Sequence, residues 1–345
     1  MKMTTEDFYA LAPEEQAERL EALASAALRH WDGGWSAPKL IKHRENAVFS
    51  VTDATGRRAV LRVHRHAYHS DQALEAELEW MRALHQDGVT VPAVIPSRDG
   101  ATFVHVAHPL VPEQRQVDIL GWVPGAPVGS IEDMPVDDND GLARIYRGIG
   151  AVAARIHDFS SSWVLPERFE RHAWDEAGLL GPDPFWGRFW ELPALTAAQV
   201  DLLARARAYA EVRLREIGTG PDVYSLIHAD LVPENVFADG EELALIDFDD
   251  AGFGWHMFEL ATALFFLLDH PAYPALRDAL FTGYEQARPG KVSIDQLPLF
   301  LFLRSTTYLG WVYTRAETET ARELEGFLID TACRLAGELL GEADR

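Results

Sequence analysis

Apolar positions change their spacing along the chain, and the changes outline its organisation. Residues 5–30 carry them at helical intervals, with Thr5 ahead of an acidic first turn and Pro13 breaking the pattern early. The period then shortens to two. Leu40–Val51, Arg58–His64 and Ala101–Ala107 alternate and are rich in Val and Phe, which predicts strands, with Asp53–Gly56 as the hairpin turn between the first two. Between the second and third strands, Leu74, Leu78, Met81 and Leu84 mark one face of a helix over Ser70–His85, with Ser70 as its N-cap. Val117–Val123 is a further strand, ended by Pro124-Gly125-Ala126-Pro127.

Beyond that break the pattern turns helical. Gly141–His157 and Ala194–Ile217 are long and periodic, and Gln286–Arg345 is mostly helical around a Pro289-Gly290 break. One strand-rich island interrupts, made of Ser225–His228, Val236-Phe237 and Leu243–Phe248. No period of 20–50 residues recurs. The expectation is an α+β chain of two lobes: a small N-terminal lobe over 1–122 with an antiparallel sheet and a leading helix, a hinge at 121–127, and a larger, mainly helical lobe over 128–345.

Composition narrows the function classes. The 345 residues are 48% hydrophobic and 25% charged, enough for a sizeable core and unlike a disordered chain. Asp and Glu number 54 against 31 Lys and Arg, a net charge of −23. That argues against a nucleic-acid partner and against an anionic membrane surface, both of which need a basic face. A basic pocket within the acidic shell is still compatible with phosphate-bearing ligands. The single cysteine, Cys333, has no partner for an internal disulfide and lies on an apolar helix stripe, where packing explains it. The first residues are acidic where a secretory leader is basic, and Leu260–Leu268 and Leu297–Leu303 are too short to span a bilayer, so both read as buried helix. These features lead to the expectation of a cytoplasmic protein.

The segment that carries chemistry is His228-Ala-Asp230-Leu-Val-Pro-Glu-Asn235, followed after one short hairpin by Ile246-Asp247-Phe248-Asp249-Asp250. Strand pieces flank both groups, so their polar residues fall in turns that a rigid frame can aim. Asp230, Asn235 and Asp247 offer the hard oxygens that a divalent cation and its phosphate ligands need. A carboxylate among them can take the proton of an acceptor hydroxyl.

H-x-D-x-x-x-x-N followed by I-D-F resembles the catalytic and metal-binding loops of the aminoglycoside phosphotransferase-like kinases, a branch of the protein-kinase-like fold. Ala229 at the second position and Asp249 after Asp247-Phe248 both match the small-molecule branch. The resemblance implies ATP and Mg²⁺, with Asp230 as catalytic base and Asn235 and Asp247 as metal ligands. It also implies a roof for the nucleotide in the first lobe. In Arg58-Ala-Val60-Leu-Arg62-Val, the phosphate-pairing lysine of the V-A-x-K pattern is replaced by Arg62, with Val60 on the same strand face. Helix 70–85 stands where a glutamate should orient that cation. Glu75, Glu77 and Glu79 compete, and Glu77 is chosen because it borders the apolar stripe. No G-x-G-x-x-G precedes Val48; Asn46, in His43-Arg44-Glu45-Asn46, is the candidate phosphate contact, set against the plainer role of a turn asparagine. Adenine would bond to backbone near Gly121, Trp122 and Val123. Glu259, in Gly254-Trp-His-Met-Phe-Glu259-Leu-Ala, replaces an aspartate that braces the catalytic loop.

Other patterns carry less. His64, His66 and His69 straddle a strand end and read as a solvated cluster. H-E-x-x-H, G-x-S-x-G and Walker A patterns are absent. Trp174, Trp186, Trp190, Tyr308 and Trp311 suit an aromatic acceptor pocket, or equally plain packing. The leading expectation is transfer of the ATP γ-phosphate to a hydroxyl of a neutral or cationic small molecule: an amino alcohol, a sugar, or a homoserine-like or aminoglycoside-like acceptor. Three rivals are weighed: a Ser/Thr protein kinase of the same family, a silent nucleotide-binding scaffold suggested by Arg62, and a metallohydrolase on His228 and Asp230. Oligomeric state leaves no mark in the sequence.

Overall fold

A computed structural model describes residues 4–44, 46–130 and 138–341. It is mixed α+β, as the apolar spacing predicts, and divides into two units: Met1–Pro124 with Leu165–Glu170, and Gly125–Val164 with Arg171–Arg345.

The first unit begins with α1 (Thr5–Tyr9) and α2 (Pro13–Ala27), whose first residue is the proline that breaks the early helical pattern. There follow β1 (Lys39–His43), β2 (Ala47–Thr52), β3 (Arg58–Val63), α3 (Asp71–Gln86), β4 (Val104–His108) and β5 (Val111–Gly121). The strands form one antiparallel sheet in the order β1-β2-β3-β5-β4. Alternation along β3 sends Ala59, Leu61 and Val63 into a core shared with Phe49 of β2, Ile119 of β5 and Leu20 and Leu23 of α2. Val60 and Arg62 therefore point to the opposite face. The Ser70 hydroxyl accepts from the Ala73 N–H and caps α3, which buries Leu74, Leu78, Met81 and Leu84 together with Glu77.

The second unit contains β6 (Ala126–Pro127), α4 (Asn139–Ser162), β7 (Ala173–Trp174), α5 (Glu176–Leu180), α6 (Ala197–Ile217), β8 (Tyr224–Ile227), β9 (Val236–Asp239), β10 (Glu242–Leu245), β11 (Gly252–Trp255), α7 (His256–Phe265), α8 (Tyr273–Ala287), α9 (Leu297–Thr314) and α10 (Glu319–Leu340). Two small sheets, β10-β9-β6 and β7-β11-β8, sit among these helices. α4 packs on α8, and α9 packs on α7 and α10. At the α4–α8 crossing a Cβ on Gly283 would lie 1.9 Å from the Arg147 carbonyl oxygen, and one on Gly150 would lie 2.0 Å from that of Leu280. The two backbones touch directly because both positions lack side chains. Among the described residues no helix is long and apolar enough to cross a membrane.

Three strand boundaries differ from expectation. β5 starts at Val111 and ends at Gly121, so Trp122 and Val123 lie beyond it. Its first half hides in the sequence because Arg115, Gln116 and Asp118 are polar yet buried. The strand expected over Leu243–Phe248 stops at Leu245, since Asp247 takes a left-handed φ of 64° that a ladder does not accommodate. β7 and β11 leave little pattern: one is two residues long, and the other, Gly252–Trp255, is half glycine.

Candidate active site

β8 runs directly into the first motif. Ala229 sits at φ 64°, in the left-handed region, and this turns two successive N–H groups toward one carboxylate. The His228 N–H donates to Glu259 Oε1 at 2.9 Å and the Ala229 N–H to Oε2 at 2.7 Å. Glu259 stands on α7 and is fully buried. Burial pushes its carboxyl above the usual range, while His228 and the two N–H donors act against that shift. The His228 ring bridges the two motifs. Nε2 donates to the Ile246 carbonyl at 2.8 Å, which leaves Nδ1 to accept the Asp230 N–H at 3.3 Å.

Asp230 is held from two sides. Asn235 Nδ2 donates to its Oδ2 at 2.8 Å and to its backbone oxygen at 3.0 Å. Arg304 Nη2, from α9, donates to Oδ1 at 2.9 Å. The Arg304 side chain has no solvent exposure, whereas that of Asp230 keeps 23%. Arg304 also donates from Nη1 to the Ala229 carbonyl at 3.1 Å and from Nη2 to the Tyr308 hydroxyl at 2.7 Å. Its guanidinium carbon lies 4.3 Å from the Tyr308 ring centre, 5.0 Å from Trp186 and 5.6 Å from Phe258. Each carboxylate oxygen has two lone-pair sites, so the exposed side of Asp230 retains capacity for one more donor.

Asn235 closes the 3₁₀ turn Pro233–Asn235, and its carbonyl accepts the Ile246 N–H at 3.0 Å. That bond sets Asn235 beside the start of the second motif. Asp247 is exposed there. The following loop is clamped through its backbone. Buried Arg171 donates to the carbonyls of Ala251 (2.6 Å), Phe248 (3.2 Å) and Asp249 (2.6 Å). His172 Nε2 at 3.0 Å and Trp174 Nε1 at 2.9 Å both reach the Asp250 carbonyl. The donor set suits a hard divalent cation: with Asn235 Nδ2 spent on Asp230, its Oδ1 is directed elsewhere, and Asp247 adds an exposed carboxylate.

In the first unit, Arg62 is buried between two carboxylates. Nη1 meets Glu77 Oε1 at 3.0 Å, while Nε and Nη2 meet the two oxygens of Asp118 at 3.0 and 2.8 Å. Of the three competing glutamates, Glu77 is therefore the one whose carboxylate meets Arg62; Glu75 instead accepts the Thr102 hydroxyl. Asp118 faces Arg62 across the β3–β5 ladder and also accepts from His64 Nε2 at 2.8 Å. Burial would raise the Asp118 carboxyl, but Arg62 and His64 outweigh it and hold it well below the ordinary carboxylate range. The three histidines thus form no solvated cluster: His64 is buried on Asp118, His69 is half-buried, and His66 is exposed. Asn46 is buried and its Oδ1 accepts the Arg65 N–H at 3.1 Å, tying the hairpin tip to the end of β3. Val60 is half-buried on the Arg62 face. Trp122 and Val123 are half-buried past the end of β5, with the Arg58 guanidinium 3.4 Å over the Trp122 ring.

Sequence reasoning missed Arg304, Asp118 and the Arg171 clamp. A charged residue inside an apolar run, as in Leu301-Phe-Leu-Arg304, is the signal each of the first two carries. The aromatic residues divide. Trp186 and Tyr308 flank Arg304, Trp174 binds the Asp250 carbonyl, and Trp190 packs under Arg207 at 4.2 Å.

Comparison with known proteins agrees with this arrangement. A family model, "Phosphotransferase enzyme family", matches residues 36–294. The amicoumacin kinase of Bacillus subtilis (strain 168) is 24% identical over 318 residues, which is 88% of each chain. A homoserine kinase of Chelativorans sp. (strain BNC1) is 38% identical over 126 residues, 35% of this chain and 39% of that protein. Among solved structures, a microcompartment-associated aminopropanol kinase is 33% identical with a TM-score of 0.79, covering 94% of this chain and 99% of that one. An amicoumacin kinase solved with AMP-PNP and Ca²⁺ has a TM-score of 0.73 at 20% identity, covering 95% and 96%, and at that identity speaks for the fold. With three quarters of its length inside the family model, the chain belongs to the phosphotransferase enzyme family, kinases of protein-kinase-like fold that act on alcohol groups of small molecules.

Proposed function

We propose that this enzyme transfers the γ-phosphate of ATP to a hydroxyl of a small molecule, with Mg²⁺ held by Asn235 and Asp247. The observation that carries the reading is Asp230, fixed by Asn235 and Arg304 yet partly open, beside a second motif that offers a hard-oxygen donor set. The exposed side of the Asp230 carboxylate accepts the hydroxyl hydrogen of the acceptor and orients its oxygen. That oxygen forms a bond to the γ-phosphorus as the bond from phosphorus to the bridging oxygen breaks, ADP leaves with that electron pair, and the hydroxyl proton passes to Asp230. When bound, the metal supplies neutralisation of phosphate charge.

On this reading residues 1–122 serve the nucleotide, 121–127 form the hinge, and 128–345 carry the base, the metal ligands and the acceptor contacts. Arg62, oriented by Glu77, pairs with phosphate; Asn46 lies at the phosphate turn; Val60, Trp122 and Val123 contact the nucleoside. The AMP-PNP complex of the amicoumacin kinase supports ATP as donor. The relatives' names span amicoumacin, aminopropanol and homoserine, so they support an alcohol acceptor without choosing the compound.

The test is Asp230→Asn. Turnover with Mg-ATP and an alcohol panel, followed by ADP release, is expected to fall ~10²-fold or more while ATP binding by calorimetry persists. Unchanged turnover in this variant overturns the assignment. Label from ATP that enters proteins of a lysate and spares small molecules overturns the small-molecule acceptor.

A further inference from the structure

An arginine where the resembled pattern has lysine changes what the surrounding unit must supply. An ammonium is a compact charge on a flexible stem, whereas a guanidinium is a rigid plane whose nitrogens need partners at set angles. Two elements provide them. β5 places Asp118 directly opposite Arg62 in the ladder, and its two oxygens take one edge of the fork, Nε at 3.0 Å and Nη2 at 2.8 Å. α3 supplies Glu77 to Nη1 at 3.0 Å. Contacts on two sides fix the plane of the guanidinium as well as its position.

Asp118 is held in turn. His64 follows Arg62 by two residues, so alternation puts both side chains on one face. The His64 backbone is bonded to β5 at both ends: its N–H donates to the Gln116 carbonyl at 2.9 Å, and its carbonyl accepts from Arg115 Nη1 at 3.2 Å. The ring so placed donates from Nε2 to Asp118 Oδ2 at 2.8 Å. The Asp118 side chain has no solvent exposure and that of His64 has 4%, so water does not compete for these bonds. Gln116 Nε2 also reaches Asp71, the first residue of α3, at 2.7 Å, which ties the same strand to the helix that bears Glu77. Charge balance does not account for Asp118. Glu77 alone offsets Arg62, and a second carboxylate weakens the attraction for an anion. The bidentate geometry does account for it.

We propose that Asp118 and His64 are positioning residues of the phosphate site: Asp118 sets the orientation of the Arg62 guanidinium toward the triphosphate, and His64 holds Asp118. The inference rests on the reading of Arg62 as the phosphate-pairing cation.

Mg-ATP binding to the full chain, measured by calorimetry, tests it. Asp118→Asn is expected to weaken binding ~10-fold, and Arg62→Lys by as much although it keeps the charge. In the Arg62→Lys background no fork is left to orient, so Asp118→Asn should cost less than ~2-fold further. His64→Leu should weaken binding ~5-fold, and His64→Gln, whose amide can still donate to Asp118, should recover most of that loss. Thermal melts identify the folded variants, and the His64 pair carries the test if Asp118→Asn does not fold. Tighter binding in Asp118→Asn means that the carboxylate only offsets charge and overturns the inference. An equal cost of Asp118→Asn beside arginine and beside lysine overturns it as well. Wild-type binding in His64→Leu, or a loss that His64→Gln shares in full, overturns the part assigned to His64. Arg62→Ala separates the inference from the reading beneath it. Wild-type Mg-ATP affinity in that variant overturns Arg62 as the phosphate cation, whereas weakened binding there with wild-type binding in Asp118→Asn overturns the positioning role alone.

Discussion

Arg304 and Asp230 are 74 positions apart in sequence and 2.9 Å apart in space. The guanidinium fork is divided between the Asp230 carboxylate and the carbonyl of the residue before it, so α9 fixes both the charge beside Asp230 and the backbone that aims it. Arg304→Met removes both. It is expected to lower kcat about 10²-fold with the KM for ATP unchanged, since misplacing a reacting group by about an ångström costs that much. Arg304→Lys keeps the charge but not the fork and should recover only part of kcat. Steady-state kinetics with saturating Mg-ATP checks this, and equal loss in kcat and ATP affinity in both variants means a general structural role instead. The residue scale also shows what a sequence hides. The two motifs were legible because their polar residues sit in turns at strand ends, a short and ordered signal. Asp118 was not, because its partner Arg62 lies 56 positions away and no local spacing joins them. Arg62 itself was legible as a cation on a strand. That two carboxylates enclose it was not.

At the scale of elements, helices with an apolar stripe and strands with alternation were readable, α3 most plainly. The unread pieces share one physical cause: β5 buries Arg115, Gln116 and Asp118 through partners elsewhere, and β11 is half glycine, with Gly252 against His172 and Gly254 against Ile227 and Trp174. Hydrophobic patterning reports burial only where burial is apolar. The contact between α4 and α8 is a further case, set by two glycines rather than by a stripe. Gly283→Ala is expected to force these helices apart and to cost roughly 1–3 kcal/mol, since the atom met at 1.9 Å is backbone and has no rotamer to yield. Urea denaturation of the variant measures the loss, and a change under about 0.5 kcal/mol would refute backbone contact as the limiting factor.

At the scale of the whole molecule, the −23 charge favours cations over anions, so the nucleotide of the proposed reaction would enter against the mean field. Acid response follows from groups held neutral inside the second unit. His157 of α4 stacks on His256 of α7 at 4.2 Å and bonds the Tyr284 hydroxyl of α8 at 2.9 Å. Burial first, and then the charge of Arg288, keep the His157 pKa well below 6.5. A histidine with a depressed folded pKa binds its proton in the unfolded chain first, so stability is lost as pH falls below about 6.5. His157→Asn lacks this liability: the stability of the wild type relative to the variant should shrink as pH drops from 8 to 5, measured by chemical denaturation at each pH. A constant difference would show that His157 does not titrate on unfolding. The clamp on the loop after Asp247 has a last consequence. His172 and Trp174 secure residue 250 by its carbonyl, an atom every amino acid possesses. Its side chain is thereby released from structural duty, and a lineage can rewrite it by single substitutions while Asp247, three residues earlier, keeps its place.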